Sequence, residues 1–406
     1  MTTRLMERWI ESGSEIARLS TEGVTTYWSE AFARGAAPWD MFDDVRRYWT
    51  ESTRQERPRW HSPNEIVLAS PVARLRDFSD GSNANVVPTL VLPPQAGHDS
   101  CIVDFSPTQS QMKVIRAAGL ERAFSLEWIG ATAETKDAGI EDYLDFVERS
   151  IEHIGAPVNL IGDCQGGWLA AIYAALHPED VNTLTLAGAP IDFRNGDAVI
   201  GDWVEALGGG DLAFYRWVVD QGGGVLKGEH MLNGFVLIKP ENEIAKQVQL
   251  MNHINDAEHL ERHRHFGTWF KHVQDIPGAF YLWIVEHLFM ENRLINGTLE
   301  IGGEHVDLAR IECPLFLLGG ARDHITPPAQ VFAAADHVST PAADVEKLVN
   351  SGGHLGLFMG SEALREQWPP MLAAVFARSR PNADTTTSKS RARSQTSRKR
   401  TAIPAP

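Results

Sequence analysis

Cysteine is scarce in this chain of 406 residues. The three that occur, Cys101, Cys164 and Cys313, are odd in number and lie far apart, which excludes a disulfide framework as the basis of the fold. No Cys-x-x-Cys pair indicates zinc, and the histidines between 253 and 272 share no repeated spacing with carboxylates, so we expect no bound metal. Reduced thiols are typical of a reducing compartment, and we therefore expect a cytoplasmic protein.

Long apolar runs are missing as well. No stretch approaches the ~18 uninterrupted apolar residues that a membrane span needs, and charges near the N-terminus stand where a signal peptide needs an apolar run. We therefore expect no membrane span. The net charge of −16 argues against nucleic acid as a partner of the folded core, although a local basic patch can exist on an acidic protein.

Helical spacing of apolar residues marks the first segment, residues 1–62. Trp9, Ile10 and their neighbours recur at this spacing, and Phe42 and Val45 begin a second such pattern. We predict an N-terminal helical extension whose apolar residues pack against the main body.

Short apolar runs alternate with helical segments of 10–15 residues over 63–193, and the alternation resumes over 301–380. This pattern predicts an α/β core in two parts with a mostly parallel sheet. Residues 194–300, rich in aromatic residues and helical in pattern, interrupt it, and we interpret them as a helical cap inserted between two strands. The segment 381–406 has six basic residues against one acidic and predicts a disordered tail.

The motif Gly-Asp-Cys-Gln-Gly around Cys164 follows an apolar strand and begins a helix. It matches the nucleophile elbow, in which the nucleophile occupies a strained turn and residues at −2 and +2 must be small. Gly162 and Gly166 stand at those positions. The N-terminus of the following helix stabilises a thiolate at Cys164. We interpret Asp163 as a turn residue.

The order of candidate residues fits an α/β-hydrolase fold, in which an acid and then a histidine follow the nucleophile. Asp323 comes just after a buried strand, and His354 lies in a glycine-rich loop before the last helix. His354 would activate Cys164, and Asp323 would orient the imidazole. The adjacent His324 is interpreted as a loop histidine. We expect this fold to carry the helical cap and the N-terminal helical extension.

Backbone amides near the nucleophile predict the oxyanion hole. The N–H of Gln165 is one donor, and the loop after the third strand supplies the other from Gln95 or Ala96, because Pro94 has no N–H. A thiol nucleophile exchanges readily with thioesters, which suits transfer between thioester and ester better than simple hydrolysis.

At these residues the chain resembles the poly(3-hydroxyalkanoate) synthases over roughly residues 87–378. The matching stretches are Gly162–Gly167, His177–Val181, Ala189–Phe193, Asn292–Gly297, Val306–Leu308, Cys313–Pro314, Asp323–Pro328 and Gly352–Gly356. The resemblance implies Cys164 as the acylated nucleophile, His354 as the base and Asp323 as the acid. It also implies extension of a polyester from (R)-3-hydroxyacyl-CoA at the surface of cytoplasmic storage granules. Coenzyme A would enter as a thioester substrate, and no cofactor is expected.

Two alternatives stay open. The intracellular polyhydroxyalkanoate depolymerases also use a cysteine elbow, and the stretch Pro93–His98 is closer to their pattern. A non-catalytic protein that binds granules through the aromatic cap and the basic tail is the third hypothesis. Whether the chain forms a homodimer is left open.

Overall fold

An eight-stranded sheet forms the centre of the computed structural model, which describes residues 3–81 and 85–379. The predicted tail, 381–406, lies outside the described residues. The strands of this sheet, numbered in chain order, are β1 Glu65–Ala69, β2 Ala73–Asp77, β3 Thr89–Leu92, β4 Ala123–Trp128, β5 Val158–Asp163, β6 Val181–Ala187, β7 Leu315–Gly320 and β8 Val345–Asn350.

The strands lie side by side in the order β1-β2-β4-β3-β5-β6-β7-β8. β2 runs antiparallel to β1 and β4, whereas the remaining neighbours pair in parallel. Strands β5 and β7 are buried at every residue, as expected for parallel strands that helices cover on both faces. This order, with its antiparallel opening pair, confirms the predicted α/β-hydrolase fold.

Helices cover both faces of the sheet and build the cap. The α-helices of the described residues are α1 Thr3–Ala33, α2 Pro38–Thr53, α3 Gln111–Ala117, α4 Ile140–Ile154, α5 Gln165–Leu176, α6 Val199–Gly208, α7 Ala213–Gln221, α8 Gly228–Ile238, α9 Pro240–Asn252, α10 Ala257–Lys271, α11 Gly278–Trp283, α12 Pro328–Phe332, α13 Gly356–Met359 and α14 Trp368–Ala377. Shorter 3₁₀ or π turns occupy Ser100–Asp104, Pro178–Asp180, Ile284–Met290, Leu308–Arg310, Ala333–Asp336, Ala342–Asp344 and Ala363–Gln367.

Two apolar cores lie on opposite faces of the sheet, because successive residues of a strand point to opposite sides. Leu90 and Leu160 belong to the core beneath α4 and α5. Val91 and Ile161 belong to the other, beneath α3 and α14. The carboxyl end of β5 therefore leads into α5 between two tightly packed layers.

The cap lies between β6 and β7 and contains α6 to α11. A short antiparallel ribbon within it, Val225–Leu226 with Ile276–Pro277, brings together the chain segments before α8 and after α10. Within the described part of the chain, no helix combines the length and the apolar character that crossing a bilayer requires.

One local prediction was wrong. Asp163 is not a turn residue but the last residue of β5, and it is fully buried. The last helix, which the sequence places after His354, is continuous over 361–377. It includes a π-helical stretch, Ala363–Gln367, just before α14, where Pro369 and Pro370 have no N–H to continue the α-helical hydrogen bonds.

The N-terminal helices differ from the prediction in which side they bury. Helices α1 and α2 are present, but Ile10 is 65% exposed, Phe42 71% and Val45 43%, and Trp9 is also exposed. The predicted apolar face therefore points to solvent.

Small and polar residues make the contact between α1 and α2 and the cap instead. Gly23 lies against Val248 of α9 so closely that a Cβ on it would be 2.4 Å from a Val248 methyl carbon. The buried carboxylate of Glu51 pairs with Arg264 of α10. Hydropathy could not reveal this contact, because glycine and an ion pair carry no apolar signal.

Candidate active site

The turn between β5 and α5 holds Cys164 in a strained backbone conformation. Its φ is +51° and its ψ is −117°, a region that non-glycine residues rarely adopt. The N–H of Cys164 donates to the carbonyl of Ala187 at 2.9 Å, and the Cys164 carbonyl accepts from the N–H of Gly167 at 2.9 Å. These bonds tie the strained residue to β6 and to the first turn of α5.

Glycines around the turn are required by close backbone approach. A Cβ on Gly162 would lie 2.4 Å from the Cα of Gly167, and one on Gly166 would lie 2.0 Å from the Leu92 carbonyl oxygen. A Cβ on Gly167 would lie 2.1 Å from that of Ala189. Because no side chain fits at these distances, the geometry agrees with the spacing argument made from the sequence.

An imidazole and a carboxylate lie hydrogen-bonded beside this turn. Nδ1 of His354 donates to Oδ2 of Asp323 at 2.7 Å, and both side chains are buried. The other carboxylate oxygen, Oδ1, accepts from the N–H groups of Ile325 and Thr326, each at 2.9 Å. These bonds fix the carboxylate and leave Nε2 of His354 free to act on another group.

Electrostatics at His354 favour its protonated form. Burial disfavours the imidazolium and by itself would lower the pKa of His354. The charge of Asp323, the charge of an ionised Cys164 and hydrogen bonds to both outweigh burial and raise this pKa well above its ordinary value of 6.5. The protonated imidazole of His354 is therefore stabilised beside Cys164.

The two other thiols are in different environments. Burial raises the pKa of the Cys313 thiol to about 12. Burial also raises the pKa of Cys101, with the nearby Asp99 charge acting in the same direction. Both thiols remain protonated near neutral pH, so neither competes as a nucleophile.

Two further ionisable groups flank the site. His324 lies in the loop after β7, as predicted, and burial followed by the charge of Lys239 lowers its pKa to about 4. Burial raises the pKa of Asp163 to about 8, and its Oδ1 accepts from Nε2 of Gln111 at 3.3 Å. At neutral pH, His324 is uncharged and Asp163 is largely protonated.

A cavity of about 470 Å³ opens above the elbow. Cys164, Gln165, Ala96 and His354 line it, while Asp323 lies behind His354 and Gln95 is buried outside the wall. The donor roles of Gln165, Gln95 and Ala96 stay predictions. The other lining residues are mostly apolar or aromatic, and they include Trp168, Phe193, Phe235, Phe266, Trp269, Phe270, Ile284, Phe289 and Phe358.

His98 is a lining residue that the sequence analysis did not single out. Its ring stacks on Trp269 and Phe270 of the cap, and its Nε2 lies 3.1 Å from the Phe270 carbonyl oxygen. Burial lowers its pKa to about 4. The neutral ring of His98 therefore connects the loop after β3 to the cap. Its position in that loop was the only feature of the sequence that could have indicated this role.

Two of the stretches that carry the family resemblance meet beside the cavity. Oδ1 of Asn292 accepts from the N–H of Phe193 at 3.0 Å, and its Nδ2 donates to Asp192 at 2.8 Å. Asn292 itself has a positive φ of 52°. The end of the cap is therefore fastened to the loop after β6, which positions Phe193 in the cavity wall.

Across residues 3–81 and 85–379, no group of three or more His, Cys, Asp or Glu side chains is arranged to hold a metal ion.

A protein-family comparison covers most of the chain. The family described as "Protein of unknown function (DUF3141)" matches residues 71–376. The chain belongs to this family. Its description assigns no activity, so the residues of the site must carry the functional argument.

Individual relatives of this DUF3141 protein have more informative names. A "Poly(3-hydroxyalkanoate) polymerase subunit PhaC" from Haloferax mediterranei is 27% identical over 335 residues, which is 80% of this chain and 66% of the relative. One from Allochromatium vinosum is 27% identical over 66% of this chain and 75% of the relative. "Poly(3-hydroxyalkanoate) polymerase 1" from Ectopseudomonas oleovorans is 27% identical, but the match spans only 52% of it. The chain is thus polyhydroxyalkanoate synthase-like, and at a coarse level an acyltransferase or ester hydrolase.

Solved structures resemble the chain only distantly. A carboxylesterase from Nitrososphaera gargenis is 17% identical with a TM-score of 0.48, over 77% of this chain and 98% of the other. A putative lipase from Acinetobacter baumannii is 14% identical with a TM-score of 0.42, over 77% and 91%. The fold assignment rests on the order and direction of the strands.

Substituting Gly166 tests the close approach at the elbow. We expect Gly166→Ala to lower the free energy of unfolding by about 3 kcal/mol or more, because the new methyl group would overlap the Leu92 carbonyl oxygen. Urea denaturation followed by circular dichroism measures this change. Gly234→Ala in α8 is the matched control, since nothing lies within 4 Å of its Cβ. Equal midpoints for the two variants would contradict the packing argument.

Substituting Asp323 tests the electrostatics of His354. Asp323→Asn removes the charge that stabilises the imidazolium, so we expect the pKa of His354 to fall. NMR titration of histidine-labelled protein, assigned with His354→Gln, measures it. Asp344→Asn, at an exposed ion pair with Arg378, is the control and should leave this pKa unchanged. An unchanged or higher pKa in Asp323→Asn would refute the assigned role of the carboxylate.

Proposed function

We propose that this protein is a polyhydroxyalkanoate synthase-like acyltransferase that polymerises (R)-3-hydroxyacyl-CoA through an acyl group on Cys164. The observation that carries the proposal is the buried His354–Asp323 pair, which borders the same apolar cavity as a strained cysteine. The synthase-named relatives support the choice of substrate class. Granule association, a homodimer and a cytoplasmic location stay predictions.

Acylation of Cys164 is the first step. The thiolate of Cys164 attacks the thioester carbonyl carbon, and the bond between that carbon and the sulfur of coenzyme A breaks. His354 gives its proton to the departing sulfur, so coenzyme A leaves as the free thiol. Backbone N–H groups at the helix start would stabilise the oxyanion that forms between these events.

Chain growth is the second step. The 3-hydroxyl oxygen of another hydroxyacyl group attacks the acyl-enzyme carbonyl, and Nε2 of His354 accepts the hydroxyl proton. A carbon–oxygen ester bond forms, the carbon–sulfur bond to Cys164 breaks, and the thiolate returns. Asp323 holds the ring and stabilises the imidazolium throughout.

The cavity is better suited to binding an acyl group than to a reaction with bulk water. Aromatic and aliphatic side chains from both the core and the cap surround Cys164, and its volume lies within the range of small-molecule sites. Such a wall favours the hydroxyl of a second substrate over water by concentrating apolar chains near the acyl-enzyme. The same acyl-enzyme attacked by water would make the protein a depolymerase.

The test is to incubate the purified chain with 3-hydroxybutyryl-CoA and to measure free thiol, insoluble polyester and monomeric acid. We expect coenzyme A and polyester to be released together. Cys164→Ala should lower thiol release by on the order of 10³-fold or more, because it removes the nucleophile. His354→Gln should lower it by about 10²–10⁴-fold, because proton transfer is lost.

Cys313→Ala is the matched control, since it also removes a thiol but lies before β7, outside the cavity wall. It should retain the rate of the parent chain. Thiol release with only monomeric acid would replace the synthase proposal by a thiol hydrolase. If neither the parent chain nor Cys164→Ala releases thiol, and the variant keeps every other function of the parent, only a non-catalytic role remains.

A further inference from the structure

One face of α9 adds charged and polar side chains to a mostly apolar cavity. Lys239, at the N-cap of α9, and Asn242, Glu243 and Lys246 follow one another at i, i+3, i+4 and i+7. Residues with this spacing share a face of a helix, and all four line the cavity that contains Cys164. We call these four residues the α9 rim.

The α9 rim lies where the cavity meets solvent. Asn242 is exposed and Lys239 is half-buried, whereas Cys164 and His354 are buried deeper. The other side of α9 contacts the N-terminal helices, where Val248 packs against Gly23 of α1. The Tyr48 hydroxyl also donates to Gln247 at 3.0 Å, and Gln247 donates to Glu243 of the rim at 2.8 Å. The rim is therefore held in place from behind and faces the mouth of the cavity.

The charges of the α9 rim are not all balanced. Glu243 pairs with Lys246, whose ammonium also lies 5.0 Å from the centre of the Phe270 ring. Among residues 3–81 and 85–379, no carboxylate lies within ion-pair distance of Lys239. Its charge instead acts on His324, which burial keeps neutral. An ammonium group without a carboxylate partner among these residues therefore faces the cavity, whose lining also contains the carboxylates of Asp99 and Glu243.

We propose that Lys239, with the amide of Asn242, forms an anion subsite at the mouth of the cavity, which binds the negatively charged end of the substrate while its apolar part lies against the cavity wall. This subsite deepens the proposed function and rests on it for the identity of the reacting group. An apolar interior with a cationic rim suits an amphiphile that has one anionic end. The ammonium and the amide are both donors, which matches the acceptor oxygens of a carboxylate or a phosphate.

Two sources provide such an anion in the proposed reaction. The phosphates of coenzyme A belong to the leaving group of the acylation step. A free carboxylate belongs to a hydroxy acid that accepts, or is released with, an acyl chain. Both have the same chemistry at Lys239, and binding experiments separate them.

The experiment measures ligand binding by calorimetry to the full chain carrying Cys164→Ala, so that no turnover occurs. The probes are coenzyme A, 3-hydroxybutyrate and its uncharged methyl ester. Lys239→Gln is compared with Lys239→Arg, which keeps the charge, and with Lys136→Gln, a matched loss of a lysine charge outside the cavity. Thermal unfolding checks that each variant is folded.

We expect Lys239→Gln to weaken the binding of at least one anionic probe about tenfold or more, since it removes a charged hydrogen bond. Lys239→Arg and Lys136→Gln should bind like the parent, and the methyl ester should not distinguish the variants. An effect confined to coenzyme A identifies the phosphate, and one confined to 3-hydroxybutyrate identifies the carboxylate. Unchanged binding of both anions, or equal weakening of the methyl ester, would overturn the subsite.

This measurement separates the subsite from the proposed function. Charge-dependent binding at Lys239 without any release of coenzyme A by the parent chain would support the subsite and contradict the synthase reaction. Release of polyester by a chain whose affinity for the anionic probes does not depend on Lys239 would support the reaction and contradict the subsite.

Discussion

The close approach of three backbone segments at the elbow is the constraint on which the rest of the site depends. Gly162, Gly166 and Gly167 let β5, α5 and the end of β3 pass within distances that no side chain allows. This packing fixes the sharp turn at Cys164, with its positive φ, and directs the chain from a buried strand into a buried helix. Cys164 thereby lines the cavity at a point that the sheet and the helix both hold in place.

Electrostatic interactions fix the side chains beside this turn and set their protonation. Asp323 is fixed by two backbone N–H groups and holds the ring of His354, whose pKa the neighbouring charges raise against the effect of burial. The same burial keeps Cys101 and Cys313 protonated. Cys164, one thiol of three, therefore lies beside the imidazole of His354, and the cap surrounds it mostly with apolar side chains.

The elbow and its partners could be predicted from the sequence because glycine spacing and chain order reflect local geometry. The alternation of strands and helices over 63–193 could also be predicted, because short apolar runs and helical spacing mark the buried elements. The face that α9 presents to the cavity could not be predicted, since a cap helix touches the core on one side and the N-terminal helices on the other. The N-terminal helices bury a glycine and an ion pair and leave an apolar stripe exposed. Hydropathy therefore predicted the wrong face of these helices as the buried one.

The central claim is that Cys164 becomes acylated, and trapping the acyl-enzyme tests it most directly. The chain is mixed with 3-hydroxybutyryl-CoA, quenched in acid within milliseconds, digested and analysed by mass spectrometry. The account predicts a hydroxybutyryl group on the peptide that contains Cys164 and none on the peptides of Cys101 and Cys313. Turnover of the substrate with Cys164 unmodified throughout, or with the acyl group on another residue, would contradict it.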